Sequence, residues 1–500
     1  MSQNLARGLW QTAQRRPNAI AIWMESGEDL TYDRLWSAIC ACADDLKAVG
    51  VEQGSRVALV LPNRPEFTIA YFAILATGAV VVPLNPLLTL NESARLLKHA
   101  QPQLLIGDAG GLSHATESGI FPLQLQDWFE RETRGREPVS VGPARTAVII
   151  YTSGTTGHSK GVELTHENLR RNAEWVGGSS LDGETWGGDH TILAALPLSH
   201  SFGQTCLQNA PLLHGASLVY MSRFDAEAAL ELIVERGVSI LAAVPSMARL
   251  MLEEGLRCNI SPASLRWCLI GGAPISPVLI DAFEAWSGAK VLEGYGLSET
   301  SPVCVFRTLD TPRMPGSVGR AIEGVDIGLE LPSGEFAELG GPGELLVRGH
   351  AVMKGYYRDL DETERQMRDG WLRTGDVARI DERGLVYIID RLKDVILRNG
   401  YTIYPSEVEE AVRRHEDVED VAILATPDER VGEEVTAVVV RSCPTLTQDA
   451  LLTFCEFYLA PYKRPRRVIF TDAIPKGAKG QVLRDLLVGN LDTSHPGAIY

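Results

Sequence analysis

Two periodicities alternate along the chain. Short aliphatic runs, "SRVALVLP", "AVVVPL", "TAVIIYTSG", "ASLVYM", "VSILAAVP" and "WCLIGGA", close in or near Gly, Pro or Ser. That is the pattern of buried strands ended by turns. Between them lie helical stretches, among them "YDRLWSAICACADDLKAVG" and an amphipathic "EFTIAYFAILATG". Strand-then-helix alternation predicts an α/β fold with largely parallel sheets. It also sets Ser153, Pro245, Gly271 and Gly272 at the carboxyl ends of strands, where open α/β sheets bind their ligands.

Near Gly316 the texture changes. "GSVGRAIEGVDIGLELPSGE", "GELLVRG" and "GLVYIID" read as short strands between Gly and Pro turns, a small β-barrel-like subdomain. After Lys393 come helix "SEVEEAVRRH", strands "VEDVAILA" and "EEVTAVVVR", and helix "TQDALLTFCEFY". The expected organisation is a large N-terminal domain of mixed α/β sheets over 1–390, a hinge at 391–393, and a small mobile α+β C-terminal domain over 394–500.

Composition narrows the function. At 500 residues, 45% of them hydrophobic, the chain is too long for one core and apolar enough to fill several. Net charge is 47 − 64 = −17, which argues against nucleic acid or an anionic membrane as partner. The cysteines are scattered, with Cys40 and Cys42 the one close pair, inside a helical run. Reduced thiols are expected rather than a disulfide framework or zinc. The start, "MSQNLARGLWQTAQRRPNAI", lacks the apolar core of a secretion signal. The most apolar stretch, "IAYFAILATGAVVVPL", is broken by Gly78 and Pro83 and suits a helix and a strand better than a membrane span. A cytoplasmic protein without a transmembrane segment is expected, with its oligomeric state, monomer or homodimer, left open.

Candidate chemistry concentrates in "YTSGTTGHSKG", residues 151–161. Gly154, Gly157 and Gly161 allow positive φ and close approach of N–H groups to an anion. Thr152, Ser153, Thr155, Thr156 and Ser159 add hydroxyls, and Lys160 adds a cation. The strand before it and "VELTHENLRRNAEW" after it, read as a helix opened by a Thr165-His-Glu-Asn turn, suggest a phosphate loop. It is not the G-x-x-x-x-G-K-[ST] loop, because Ser159 stands where glycine is required and Gly161 where a metal-binding hydroxyl is required. Further marks fall at the joints of the plan: "LPLSHSFG" with His200, "GYGLSET" with Glu299, "RTGD" with Asp376, and "DRLKD" at the domain boundary. Singly, each has a bland reading as a turn former or a satisfied polar residue.

Their order resembles the ATP-dependent adenylate-forming superfamily, which holds acyl-CoA synthetases, peptide-synthetase adenylation domains and luciferases. The resemblance covers nearly the whole chain, through "LTYDRL", "VALVLPNRPEF", "PLNPLLT", "GELLVRG", "VMKGYY" and "DGWLRTGD". It implies that a carboxylate attacks the α-phosphate of ATP, that pyrophosphate leaves, and that a thiol then takes the acyl group. It further implies that loop 152–160 holds the β- and γ-phosphates and that Glu299 binds Mg²⁺. Asp376 would take the ribose hydroxyls with help from Arg391. Gly272, Ala273, Pro274 and Tyr295 would frame adenine, with Gly294, Gly296 and Ser298 in the same turn. His200 would lie beside the acyl carboxylate, Lys393 at the hinge, and Gly400 beside the coenzyme A thiol.

The place where adenylation domains for amino acids carry an Asp reads "LSHSFGQT" here, without a carboxylate. A buried substrate ammonium would lack its partner, so the acyl-CoA synthetase branch is expected, with an acyl carrier protein as the other acceptor. The lining expected by resemblance, Phe202, Gly203, Val244, Gly271, Gly296 and Val303, suits a fatty or aryl acid. Arg307 and Arg313 leave a dicarboxylic acid open. Two positions depart from the family pattern. Ser159 replaces a proline, which loosens the loop modestly. Gln481, in "PKGAKGQVL", replaces the lysine expected to bridge carboxylate and α-phosphate. Either nearby Lys479 serves instead, or the protein is a half-reaction or non-catalytic adenylate-binding member.

Overall fold

The computed structural model describes residues 4–25, 28–131, 133, 135–153, 159–178, 185–188, 190–398, 401–428, 431–477, 482–484 and 486–487. Contacts gather the chain into two compact units, Met1–Ile327 with Leu346–Arg373, and Gly328–Leu345 with Thr374–Tyr500.

The first unit is α/β, as its pattern predicts. A seven-stranded sheet runs in the order Gly355–Tyr356, Ser159–Thr165, Thr146–Ser153, Val80–Leu84, Arg56–Val60, Leu104–Gly107, Phe121–Gln124. Its centre is parallel, with Val57 opposite Val81 and Leu104. A nine-stranded sheet holds Lys290–Tyr295, Trp267–Ile270, Ile240–Ala243, Thr191–Ala194 and Ser217–Tyr220 side by side, again parallel. Helix Pro65–Ala76, expected to be amphipathic, is instead buried on every face from Phe67 to Ala76. Its sequence is apolar all round, and a helix without a polar face is stable only inside.

A five-stranded sheet follows the order Val325–Glu330, Pro342–Gly349, Trp371–Ile380, Met367–Arg368, with Val386–Arg391 also on Trp371–Ile380. In the second unit, Gly432–Arg441 lies between Val418–Asp428 and Ile396–Arg398 and also pairs with Arg467–Phe470. Alternation along Val418–Asp428 covers both faces of this sheet. Val421 and Ile423 pack with Val408, Val412 and Leu451, while Ala422 and Leu424 pack with Ile474 and Leu487. All eight cysteines are free thiols, six of them buried. No helix among the described residues is long and apolar enough to cross a membrane.

The helix after the glycine-rich loop, His166–Gly178, is tied to the N-terminal helix Leu5–Arg15 by a buried imidazole: Leu5 N–H donates to His166 Nδ1 at 3.1 Å. His166 Nε2 is buried without a partner. Burial, with Arg145 adding to it, pushes His166 down from 6.5 to about 4. The unfolded chain therefore takes up this proton first as pH falls. The stability this site contributes is complete above about pH 6.5 and is lost progressively toward pH 4. The distance between those values corresponds to about 3 kcal/mol. In urea melts between pH 7 and pH 4, the wild type should lose about 3 kcal/mol more than His166→Leu across the window. Equal losses in the two proteins would show that His166 does not set the acid limb.

Candidate active site

Two paired strands flank the glycine-rich stretch. Thr146–Ser153 and Ser159–Thr165 run antiparallel, with Tyr151 opposite Gly161, Thr152 opposite Lys160 and Ser153 opposite Ser159. This corrects the strand–loop–helix expectation. In "VELT", Val162 and Leu164 are buried and Glu163 between them is half-buried, a strand pattern. The helix begins only at His166, where Thr165 N–H donates to Asn168 Oδ1 at 2.9 Å and Asn168 N–H donates to Thr165 Oγ1 at 3.1 Å. Gly154, Thr155, Thr156 and Gly157 lie outside the described residues, as do Gly400, Lys479 and Gln481.

Lys160 anchors the returning strand. Its ammonium meets the buried carboxylate of Glu362, which is also held by Arg365 at 2.6 Å and by Gln366 Nε2 at 3.3 Å. Burial alone would raise the Glu362 carboxyl. The hydrogen bonds from Lys160 and Gln366 and the charges of Lys160 and Arg365 outweigh it and hold the group below the usual range. The same ammonium stands 5.2 Å from the ring centroid of Tyr356. The Tyr356 hydroxyl donates to Glu299 Oε1 at 3.0 Å. Burial, and next the Glu299 carboxylate, raise the Tyr356 hydroxyl far above its ordinary value, so it stays a neutral donor. Among the described residues, Tyr356 is the one hydrogen-bond donor to the Glu299 carboxylate. A half-buried carboxylate with an oxygen to spare fits a hard cation such as Mg²⁺.

Glu299 is aimed by the turn "GYGLSET". A Cβ at Gly296 would stand 1.6 Å from the Pro302 carbonyl oxygen, so only glycine permits this closure. Buried Thr300 braces it, its Oγ1 accepting from Leu297 N–H and donating to Pro302 O, both at 2.8 Å. Ser298 Oγ lies 3.2 Å from Ser201 Oγ, which joins the turn to the His200 segment. His200 is exposed at the start of helix Ser201–Gln204. The Phe202 ring lies across Gly271, where a Cβ would be 3.5 Å from its edge. Gly272, with φ +82°, and Pro274 are exposed and Ala273 half-buried, just past strand Trp267–Ile270. Gly294 and Tyr295 close strand Lys290–Tyr295. The first unit thus links Lys160 to Glu299 through Tyr356, and the turn that carries Glu299 to the His200 segment through Ser298 and Ser201.

In the second unit, Asp376 is 2% exposed and sits opposite Arg391, whose Nε reaches Asp376 Oδ1 at 2.7 Å. Lys393 lies in the turn Leu392–Asp394. That turn is framed by Asp390, which accepts from Ser406 N–H at 2.8 Å, and by Asp394, which accepts from Arg484 at 3.2 Å. In the first unit, Arg313 is paired with Asp281 at 2.7 Å and Glu284 at 3.6 Å. Its charge is engaged by these two carboxylates.

Three contributors were not singled out from sequence. Tyr356 and Glu362 stand in "VMKGYYRDLDETER" and Asn63 in "LPNRPEF". Their signal is a polar residue inside or beside an apolar run, and it gains meaning only once pairing partners far along the chain are known.

The AMP-binding enzyme family model matches residues 9–357, and the AMP-binding enzyme C-terminal domain model matches 407–481. A long-chain-fatty-acid–CoA ligase of Yersinia pestis is 33% identical over 92% of this chain and 90% of its own. A feruloyl-CoA synthase of an Amycolatopsis species is 34% identical over 96% and 98%. The crystal structure of ATP-bound MatB from Rhodopseudomonas palustris superposes with a TM-score of 0.89 at 30% identity, over 98% of this chain and 99% of that one.

The His200 segment is held from below by Asn63. Its Nδ2 donates to Ala194 O at 2.9 Å and Leu196 O at 2.8 Å, and its Oδ1 accepts from Leu198 N–H at 2.9 Å, all buried. Asn63→Ala leaves Leu196 O and Leu198 N–H without this partner, while Ala194 O keeps Met221 N–H, and should cost about 2–4 kcal/mol of stability in denaturant melts. A loss under about 1 kcal/mol would mean the segment holds itself.

Proposed function

The chain belongs to the family of AMP-binding enzymes, and from that premise we propose how its residues divide the reaction. The protein is an acyl-CoA synthetase, an acid–thiol ligase. It activates a carboxylic acid with ATP to acyl-AMP, releasing pyrophosphate, and passes the acyl group to coenzyme A as a thioester. It uses ATP, Mg²⁺ and coenzyme A.

The observation that carries our assignment is the gathering of Lys160 and Glu299 around Tyr356. In our reading Lys160, with Thr152, Ser153, Gly154, Thr155, Thr156 and Gly157, holds the β- and γ-phosphates. Glu299 holds Mg²⁺, which when bound supplies positive charge where negative charge develops at phosphorus. His200 stands beside the acid carboxylate as it attacks. Gly272, Ala273, Pro274 and Tyr295 take the adenine, with Gly294, Gly296 and Ser298 shaping the turn. Asp376 and Arg391 take the ribose, and Gly400 lets the backbone pass close to the coenzyme A thiol.

The acid, in this reading, has one carboxylate and an apolar alkyl or aryl body. Phe202 against Gly271, buried Val244 and Val303, and the engaged Arg313 support it. We assign the enzyme to the cytoplasm. We also assign domains of 1–390 and 394–500, with 391–393 as the hinge between half-reactions. Lys393→Pro, which restricts φ, should spare acyl-adenylate formation and impair thioester formation. Equal loss of both steps in a folded protein would place the hinge elsewhere.

Gln481 leaves the first step short of a full charge. A neutral amide donates a weaker hydrogen bond to phosphate than an ammonium, and losing one such donor slows a step about 10²–10³-fold. We assign the missing charge to Lys479, two residues earlier on a glycine-flanked segment. Purified protein with ATP, Mg²⁺, coenzyme A and a panel of fatty, aryl and dicarboxylic acids should release AMP for one class of acid. With that acid, Lys479→Ala should cut acyl-adenylate formation about 10²-fold while coenzyme A still attacks pre-made adenylate. No AMP with any acid would favour a binding protein. Unchanged adenylation in Lys479→Ala with a sharp rise in Gln481→Lys would show that the natural enzyme is slow in its first step.

A further inference from the structure

We propose that Tyr356 is a positioning residue that holds the metal carboxylate Glu299 and the loop cation Lys160 at a set separation. It rests on the reading of Glu299 and Lys160 given above. Tyr356 is on the short strand Gly355–Tyr356, paired antiparallel with Ser159–Thr165 so that Tyr356 stands opposite Val162. That register carries its ring to the ammonium of Lys160, two residues before Val162 on the same strand, at 5.2 Å. The para hydroxyl donates to Glu299 Oε1 at 3.0 Å. One rigid side chain, with two rotatable bonds, therefore touches both charged groups.

The two contacts use different parts of the residue. The ring face meets the cation through its quadrupole and would do so without the hydroxyl. The hydroxyl alone meets the carboxylate. It takes one oxygen of Glu299 and leaves the other for a cation, so the carboxylate does not rotate freely and its open oxygen faces one direction. Glu362 completes the set. Its buried carboxylate holds the Lys160 ammonium against the ring, and Arg365 and Gln366 keep Glu362 in place. Reactive groups lose much of their effect when misplaced by an ångström, and a sheet-borne aromatic fixes position better than two flexible charged side chains could alone.

The division of labour gives a test that separates positioning from folding. ATP affinity is measured by calorimetry without metal and across a Mg²⁺ titration, for wild type, Tyr356→Phe, Tyr356→Leu and Glu299→Ala, with thermal melts as a check on folding. Tyr356→Phe keeps the ring, so metal-free ATP affinity should stay within twofold of wild type. The Mg²⁺ concentration for half-maximal tightening should rise about three- to tenfold, on the scale of one lost charge-assisted hydrogen bond. Tyr356→Leu removes the ring too and should also weaken metal-free ATP binding severalfold. An unchanged or lower Mg²⁺ requirement in Tyr356→Phe overturns the proposal, as does equal metal-free weakening by Phe and Leu. Glu299→Ala reports on the underlying reading. If it leaves the Mg²⁺ dependence intact, Glu299 is not the metal ligand and that reading fails first. If Tyr356→Leu does not fold, the Phe variant alone still decides.

Discussion

A pairing of two residues, Gly355 and Tyr356 against Val162 and Glu163, places more chemistry than any other contact in the first unit. It joins chain segments nearly two hundred positions apart in number and brings an aromatic residue alongside the returning limb of the glycine-rich hairpin. An antiparallel register leaves no freedom to slip by one residue, because a slip would turn Tyr356 to the opposite face. The ring could then reach neither Lys160 nor Glu299. The contacts of the candidate site depend on that register: the cation on the returning strand, the carboxylate on the "GYGLSET" turn, and the aromatic that touches both.

The surroundings explain why such bracing is needed. The chain carries a net charge of −17 and must attract ATP, itself a polyanion. Long-range attraction does not help, so local groups at fixed positions must do the work. A lysine side chain is a poor fixed group when left to itself, since it loses much rotamer freedom on ordering. Glu362 and Tyr356 take up that ordering before the nucleotide arrives. The cost is a carboxylate beside the cation, and two features soften it. Glu362 has Arg365 and Gln366 as further partners and can release Lys160 without becoming an unpaired buried charge.

Much of this was legible in the amino-acid order, and the boundary of what was legible has a physical cause. Buried strands such as Arg56–Val60 and Ile240–Ala243 announced themselves by short aliphatic runs. The C-terminal helices Pro405–Arg413 and Gln448–Tyr458 fell where their periodicity placed them. Site motifs with several marked residues in a row were visible too. The hairpin was not. "VELT" is followed by a strong helix start at Thr165 and Asn168, and a four-residue alternation is too short to outweigh it. The uniformly buried helix Pro65–Ala76 was misread because burial on every face depends on what packs around it. Tyr356, Glu362 and Asn63 were missed because each acts across a long sequence separation. A Tyr in "GYY" carries no local sign that its hydroxyl meets residue 299.

The proposed assignment of the missing positive charge to Lys479 fits the demands of two-step chemistry. Charge builds at the α-phosphate in adenylation alone, and a thiol attacking the acyl carbon needs none there. A cation fixed in a sheet would stay beside phosphate through both steps and would hold the departing pyrophosphate as firmly as the transition state. Binding of that uniform kind gains nothing in rate. A lysine carried by the domain that the proposed hinge would move could be present for one step and absent from the next. Lys160 is built the other way, wedged between Glu362 and an aromatic ring on the edge of a sheet. Its setting suits a residue that grips the β- and γ-phosphates at all times, and so makes it an unsuitable substitute for the cation that Gln481 no longer provides.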